Sequence, residues 1–333
     1  ITHSWAEFYR LSTEDLQSHI LAAGITLKVF DALSEPATAK EIAEKLGFHP
    51  RNTELFLNAL AGMGIIGKQN GRFVNTEKSA AYLVTSSPCY LGAFFLHIRQ
   101  WYARLGPELE QLIKNGPPAR QEMEMSDGRI WAESARLSAA YQYSGPAQAL
   151  AKIVASQPEF PKMKTMLDLG GGAGFFAQAI VAAHPSMTGV IFEQPPVAAV
   201  ARQFLKEYDA DTRIQVIEGS YMTDSLGGPY DFIFASATLN FYKDRLDELF
   251  AKIYAVLRPG GIFLTHQDGI YAERTQPVDH ITGFLYMELY GGDFAMHRGL
   301  IADSMLSTGF QSVRSFTIPS DCGEMDIDLG RKA

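Results

Sequence analysis

The residues best suited to chemistry form a glycine-rich turn, Leu167-Asp168-Leu169-Gly170-Gly171-Gly172-Ala173-Gly174, followed by an apolar run that reads as a helix. Glycine at these spacings lets the backbone pass close to a ligand with no Cβ in the way. The helix that follows then aims its unpaired amides at the same place. Asp168 stands two positions before the first glycine, and Glu193 ends the next apolar run, where a carboxylate can accept hydrogen bonds from two ribose hydroxyls. A turn of this kind is shared with nicotinamide and flavin proteins, so taken alone it selects a class of nucleoside cofactor. The plainer readings are a turn-capping carboxylate for Asp168 and a solvated strand end for Glu193. Further along, Glu218-Gly219-Ser220-Tyr221-Met222 offers Tyr221 or Met222 to cover an adenine ring. Asp231-Phe232-Ile233-Phe234 enters another apolar run, and Leu257-Arg258-Pro259-Gly260-Gly261 turns into a fifth.

These residues need strands to hold them. After Pro161 short apolar runs alternate with helical patterns, which predicts βαβ units around a parallel sheet. The strands are expected at 165–169, 188–193, 214–218, 232–236, 262–265, 313–318 and 325–329, with a helix from Phe175 to Ala183 after the glycine turn. No helical pattern separates the last two, so the sheet is expected to end in an antiparallel hairpin.

The first hundred residues read differently. Ser12-Thr13-Glu14-Asp15 has the character of a cap before Leu16, Ile20, Leu21, Ile25 and Leu27 at helical spacing. A short helix over 38–46 stopped by Gly47, and a second capped by Asn52 and reaching about Met63, make a helix-turn-helix. Residues 64–68 and 72–74, joined around Asn70-Gly71, predict a two-stranded wing. The second helix has only Arg51 as a nearby base and is apolar on more than one side, which favours packing or dimerisation over DNA binding. Residues 91–155 read as helical, broken at Gly116-Pro117-Pro118, and bridge the two parts.

The bulk composition agrees with that reading. The chain has 333 residues, 47% of them hydrophobic, enough to bury cores in about two domains. A formal net charge of -8 argues against a phosphate-backbone partner. Cys89 and Cys322 belong to no metal-binding or disulfide spacing, and no long uncharged apolar run occurs. A cytoplasmic protein with no nucleic-acid and no membrane partner is expected.

The order of these motifs, Leu-Asp-Leu-Gly-Gly-Gly-Ala-Gly, Phe192-Glu193-Gln194-Pro195, Asp231-Phe232-Ile233-Phe234 and Leu-Arg-Pro-Gly-Gly, resembles the class I methyltransferases. With the winged-helix front end, nearly the whole chain resembles the plant-type, acetylserotonin O-methyltransferase-like family. The resemblance implies a Rossmann-like seven-stranded α/β catalytic domain over 158–333. It implies in front of it an all-helical winged-helix dimerisation domain over 1–100 carrying the wing, with a helical linker over 101–157 that contributes to the substrate pocket. It also implies a homodimer formed through the amino-terminal domain, S-adenosylmethionine as cofactor with S-adenosylhomocysteine as product, and a small-molecule acceptor, aromatic and methylated at a hydroxyl. Carried over by motif, Asp168, Gly170, Gly172, Glu193 and Gln194 surround the methionine and ribose, Ser220 and Tyr221 lie near adenine, and Ser236 and Tyr143 stand beside the cofactor. Ser220 stands where the family usually has Asp, and Ser236 where relatives often have Lys or Arg.

The acceptor half departs from the family. Its usual general base, a His after the fourth strand, is Asn240 here, which cannot take a proton, and the acid expected at the end of the fifth strand is His266. A second orienting acid falls near Ala295. We therefore expect His266 to replace the base, Asn240 to orient the acceptor and Asp268 to hold the imidazole, with a backbone-bonded strand-end His as the plainer reading. Phe284, Met287 and Tyr290 at helical spacing, together with His97 and Trp101, are candidates to line the acceptor pocket, and His297 is a second candidate base or wall residue. No converging carboxylates suggest a metal, so none is expected. An S-, N- or C-methyl acceptor needing no base stays open, as does a family member that binds the cofactor but performs other chemistry.

Overall fold

The structure, a computed structural model, describes residues 4–103, 105–118 and 128–333. They divide into two compact units, Ile1–Arg104 and Leu105–Ala333.

The first unit opens on a long helix, α1 (Ala6–Thr26). The expected cap at Ser12-Thr13 does not start a helix, because both hydroxyls bond back to carbonyls within it, Ser12 to Phe8 at 2.8 Å and Thr13 to Tyr9 at 3.1 Å. A two-residue strand, β1 (Ala37–Thr38), leads into α2 (Ala39–Leu46), which starts with a capping box between Thr38 and Glu41 and stops at Gly47. The next helix, α3 (Pro50–Gly62), begins two residues before the expected Asn52 cap. Pro50 fills its first turn and His49 accepts the Asn52 amide. Strands β2 (Ile66–Gln69) and β3 (Arg72–Asn75) form the wing, and β1 makes it three-stranded in the order β1-β3-β2. Leu57 and Leu60 of α3 are fully buried with Phe30, Leu33, Ile42 and Phe73, so this helix spends its apolar face on the unit's own core. Helices α4 (Glu77–Tyr82) and α5 (Gly92–Ala103) complete the unit.

In the second unit, α6 (Leu105–Asn115) ends at the Gly116-Pro117-Pro118 break, and α7 (Gly128–Tyr143) and α8 (Pro146–Ala155) precede the sheet. The helical expectation for 119–127 lies outside the described residues. Strands β4 (Thr165–Leu169), β5 (Thr188–Glu193) and β6 (Ile214–Glu218) coincide with the sequence reading. The next two begin earlier than expected, β7 (Tyr230–Ser236) by two residues and β8 (Leu257–Gln267) by five. The cause is pairing, since Leu257 sits beside Tyr230 before the register shifts and so draws the Arg258-Pro259-Gly260-Gly261 turn into the strand. The hairpin is β9 (Gln311–Ile318) and β10 (Met325–Arg331).

The seven-stranded sheet runs β6-β5-β4-β7-β8-β10-β9, with β10 antiparallel to both neighbours and the rest parallel. Alternate residues face opposite layers. Met166, Phe232, Phe234 and Leu264 pack with α8 and with α9 (Phe175–Ala182), while Leu167, Leu169, Ile233 and Phe263 pack with α11 (Leu246–Val256) and α13 (Leu300–Ser307). Beyond β5, α10 (Pro195–Glu207) packs on α7, and α12 (Val278–Leu289) follows β8. Successive strands run outward from β4 first to one side and then to the other. This makes the carboxyl end of β4 the switch point at which open α/β sheets bind their ligands.

Candidate active site at the end of the central strand

The glycine turn occupies that switch point. Gly170 and Gly172 have φ of +69° and +58°, a region L side chains rarely adopt. A Cβ on Gly170 would fall 2.5 Å from Thr238 Oγ1, so the first glycine is required by the protein itself. A Cβ on Gly172 would meet nothing within 4 Å, so this side of the turn is open. The turn delivers the chain into α9, whose N-cap, Gly174, offers no side chain to its amides.

Two carboxylates flank the turn. Glu193, at the end of β5, accepts from the Gly172 amide at 3.0 Å and from the Gln194 amide at 2.8 Å, one bond to each oxygen. Each oxygen keeps a lone pair for another donor. Burial raises its pKa, opposed by those two amides. Asp168 is 1% exposed and neither of its oxygens has a hydrogen-bond partner. Burial, then the charge of Glu193, pushes its pKa up to about 8. The Ala177 amide pulls weakly the other way, without reaching hydrogen-bonding geometry. Two partly or wholly desolvated carboxylates beside an open glycine turn suit a ligand that carries ribose hydroxyls and positive charge.

The Asp168 shift has a measurable consequence. The native protein keeps a proton that the unfolded chain releases near the ordinary value of 3.8. The contribution of Asp168 to the stability of the ligand-free protein is therefore full below about pH 4 and is lost as pH rises toward about 8, by something on the order of a few kcal/mol. Asp168→Asn should flatten that slope in denaturant titrations between about pH 5 and pH 8. An unchanged slope would rule out Asp168 as its source.

Around the turn, Ser220 donates its amide to Asp224 at 2.9 Å, and the Tyr221 hydroxyl meets Thr238 Oγ1 at 2.8 Å. The Tyr221 ring stands edge-on to Tyr242. Gln194 is the N-cap of α10. Tyr143, at the end of α7, sets its ring against Phe175 and Tyr208 at 5.6 and 5.4 Å, beside the first turn of α9.

The strand ends beyond β4 carry the remaining polar groups. His266 is 6% exposed, and its Nδ1 lies 2.9 Å from Ser236 Oγ. The two are register partners on parallel strands, so their side chains share a face of the sheet. Burial lowers the imidazole pKa to about 4. The buried Asn240 follows β7 with its Oδ1 unpartnered. Phe284 and Met287 lie half-buried on α12. Tyr290, just past that helix, stacks at a tilt on Tyr286 with ring centres 4.9 Å apart. His297 is exposed and Ala295 is buried. His97 and Trp101 lie on α5 of the first unit.

Comparison with known proteins decides what this site belongs to. The family profile of the O-methyltransferase domain matches residues 135–292, and that of the O-methyltransferase dimerisation domain matches residues 10–85. The S-adenosyl-L-methionine-dependent methyl transferase PigF of a Serratia species is 28% identical over 277 residues, 78% of this chain and 77% of that one. The 3-hydroxy-5-methyl-1-naphthoate 3-O-methyltransferase of Streptomyces sahachiroi is 24% identical over 272 residues, 81% and 79% of the two chains. Human N-acetylserotonin methyltransferase, solved in complex with S-adenosylmethionine, superposes with a TM-score of 0.80 at 20% identity over 100% of this chain and 99% of that one. The chain belongs to the O-methyltransferase family. It is an enzyme that uses S-adenosylmethionine.

In this methyltransferase one expected pairing is corrected. Asp268 makes no hydrogen bond to the His266 imidazole, whose Nδ1 meets Ser236 instead. Asp268 instead lies past the end of β8, bonded by Gln267, with His280 and Asp326 as its titratable neighbours. The sequence reading missed Thr238, which joins Tyr221 to the back of Gly170 and has no motif to mark it. It follows β7 by two residues, and only its position at a strand end could have flagged it. Among the described residues, no cluster of three or more His, Cys, Asp or Glu side chains is placed to hold a metal, and no helix is long and apolar enough to cross a membrane.

Proposed function

We propose that this methyltransferase transfers the methyl group of S-adenosylmethionine to a hydroxyl of a small aromatic acceptor. The observation that carries the cofactor half is the open Gly172 side of the turn between Glu193 and the unpartnered Asp168. The Gly170 and Gly172 backbone takes the methionine part, Glu193 with Gln194 at its side takes the ribose hydroxyls, and Ser220 and Tyr221 take the adenine. Tyr143 and Ser236 border the same space. When bound, the cofactor supplies a sulfonium methyl group, and the chain's task is to hold the acceptor in line with it. The similarity to a naphthoate O-methyltransferase supports an aromatic alcohol as acceptor, with Phe284, Met287 and Tyr290 as apolar wall and His297 at its edge.

Positioning carries this transfer. His266 is unprotonated across the neutral range and so is able to accept a proton, but burial leaves it weakly basic, and Asn240 accepts none. These two facts favour an acceptor that is already acidic, or one that reacts through a sulfur or nitrogen lone pair or the π electrons of an activated carbon, over an ordinary alcohol. The test is the formation of S-adenosylhomocysteine and of a singly methylated product with a panel of hydroxynaphthoates of graded hydroxyl pKa. The pH–rate profile should follow the acceptor's own ionisation and show no limb near the usual imidazole value. His266→Gln should lower turnover more than acceptor binding if the imidazole takes the proton. Equal losses in both assign it to positioning.

The same proposal includes a homodimer through the first unit. Phe8, Leu11 and Leu16 on α1 are 70%, 62% and 65% exposed, and Trp5 just before it is 70% exposed, more apolar surface than a lone helix leaves in water. The dimerisation-domain profile covers this helix from residue 10. Phe8→Glu with Leu16→Glu should convert dimer to monomer in sedimentation experiments at micromolar protein. A wild-type monomer, or a variant that stays dimeric, would contradict it.

A further inference from the structure

The loop that follows β6 is gripped from behind by one lysine. Lys252, on α11, donates to the carbonyls of Tyr221 at 2.7 Å, Met222 at 2.9 Å and Asp224 at 2.9 Å. An ammonium group has three donors and no acceptor, so Lys252 spends its whole capacity on four consecutive residues of backbone. A helical lysine more often pairs with a carboxylate one turn away. Here that residue, Glu248, is taken by Arg245 through two hydrogen bonds, at 2.8 and 2.7 Å.

The same loop is fastened from its other side. The Tyr221 hydroxyl bonds to Thr238, whose side chain backs onto Gly170, and the Ser220 amide bonds to the Asp224 carboxylate. Met222 and Leu226 are buried, 5% and 2% exposed, and tie the loop to the core beneath α11. These apolar anchors would remain if the ammonium were removed. What Lys252 adds is the direction of three peptide groups within residues 221–224, which decides where the intervening amides and the Tyr221 ring point.

We propose that Lys252 is a positioning residue for the purine end of the cofactor. By fixing the carbonyls of Tyr221, Met222 and Asp224 it holds residues 220–224 in the arrangement that meets the adenine edge, and so sets both cofactor affinity and the choice of base. The proposal rests on the reading that Ser220 and Tyr221 face adenine. Its energetic basis is preorganisation, since a loop already ordered in the ligand-free protein pays less to bind. Arginine is a poor substitute here, because its longer, planar fork does not place a donor nitrogen where the Lys252 ammonium sits between the carbonyls of Tyr221, Met222 and Asp224.

The test is calorimetric titration of Lys252→Met and Lys252→Arg with S-adenosylhomocysteine and with S-inosylhomocysteine, which differ only at the purine edge, alongside the Tm of each ligand-free variant. Both variants should bind S-adenosylhomocysteine about tenfold more weakly or worse, and the preference for the adenine compound should shrink, with Tm close to wild type. Wild-type affinity and preference would overturn the proposal. So would an equal loss for both compounds with the preference intact, which is what simple destabilisation produces. Tyr221→Ala separates the two levels. If it weakens S-adenosylhomocysteine binding while Lys252→Met does not, Lys252 has no positioning role. If neither has an effect, adenine lies elsewhere and the assignment of the loop falls with the proposal. Should Lys252→Met fail to fold, Lys252→Gln, which keeps a polar but uncharged donor, carries the same comparison.

Discussion

Gly172→Val is expected to weaken S-adenosylhomocysteine binding by about 10- to 100-fold while leaving a folded protein, because a Cβ added here meets no protein atom within 4 Å and the side chain enters the space proposed for the cofactor. The φ of +58° makes any L side chain strained, at a cost of roughly 1–2 kcal/mol, and a β-branched one more so, so a lower Tm accompanies the substitution. The informative comparison is Gly170→Ala. Its φ is similar, but its Cβ would lie 2.5 Å from Thr238 Oγ1, so that variant should lose stability well beyond the backbone strain. Gly172→Val should therefore have the larger binding defect and Gly170→Ala the larger defect in ligand-free stability. Calorimetry and thermal unfolding on the two variants check the pair. Near-wild-type affinity in Gly172→Val would mean that the open side of the turn is not where the cofactor lies.

The second large effect is at Glu193. Removing its carboxylate takes away the acceptor for the Gly172 and Gln194 amides as well as the acceptors proposed for the ribose. Hydrogen bonds to a charged group contribute about 1.5–3 kcal/mol each, so Glu193→Ala should weaken S-adenosylhomocysteine binding by about 100-fold. Part of that loss is the loosened turn. A deoxyribose analogue of the ligand isolates the rest, since wild type should bind it far more weakly than the parent and Glu193→Ala should scarcely distinguish the two. If the variant still discriminates between them as wild type does, the ribose contacts are made by other residues.

How much of this was legible in the sequence depends on how local the cause is. Strands β4, β5 and β6 could be read to the residue because apolar runs end abruptly at Gly170, Gln194 and Gly219. The wing could be read because Asn70 and Gly71, with φ of +51° and +75°, suit a tight hairpin. The start of α1 could not. Ser12 and Thr13 have the chemistry of a cap, and whether a hydroxyl bonds forward to an amide or back to a carbonyl is set by the turns before it. The early start of β8 depends on its pairing with β7, which no property of Pro259-Gly260-Gly261 announces. The acceptor end was hardest, because its contacts are long-range. Ser236 meets His266 across two strands, 30 residues apart in sequence. The sequence offered Asp268 as the imidazole's partner on proximity alone, and sheet register chose otherwise. Lys252 reaches a loop about 30 residues before it and belongs to no motif.

The division between the two ends of the site is physical as well. At the cofactor end, backbone conformation does the work and glycine leaves a mark in the sequence. At the acceptor end, the decisive properties are burial and partner choice. His266 is a residue that titrates near neutrality in water and is held here at about 4, which alters its chemistry without altering its identity.

The most direct test of the central claim is a crystal structure of the enzyme grown with S-adenosylhomocysteine. The account predicts the ligand across the carboxyl end of β4, its backbone neighbours Gly170 and Gly172, its ribose hydroxyls on Glu193 and its adenine against Ser220 and Tyr221. Ligand bound away from the glycine turn, or bound there with its ribose turned from Glu193, would contradict it.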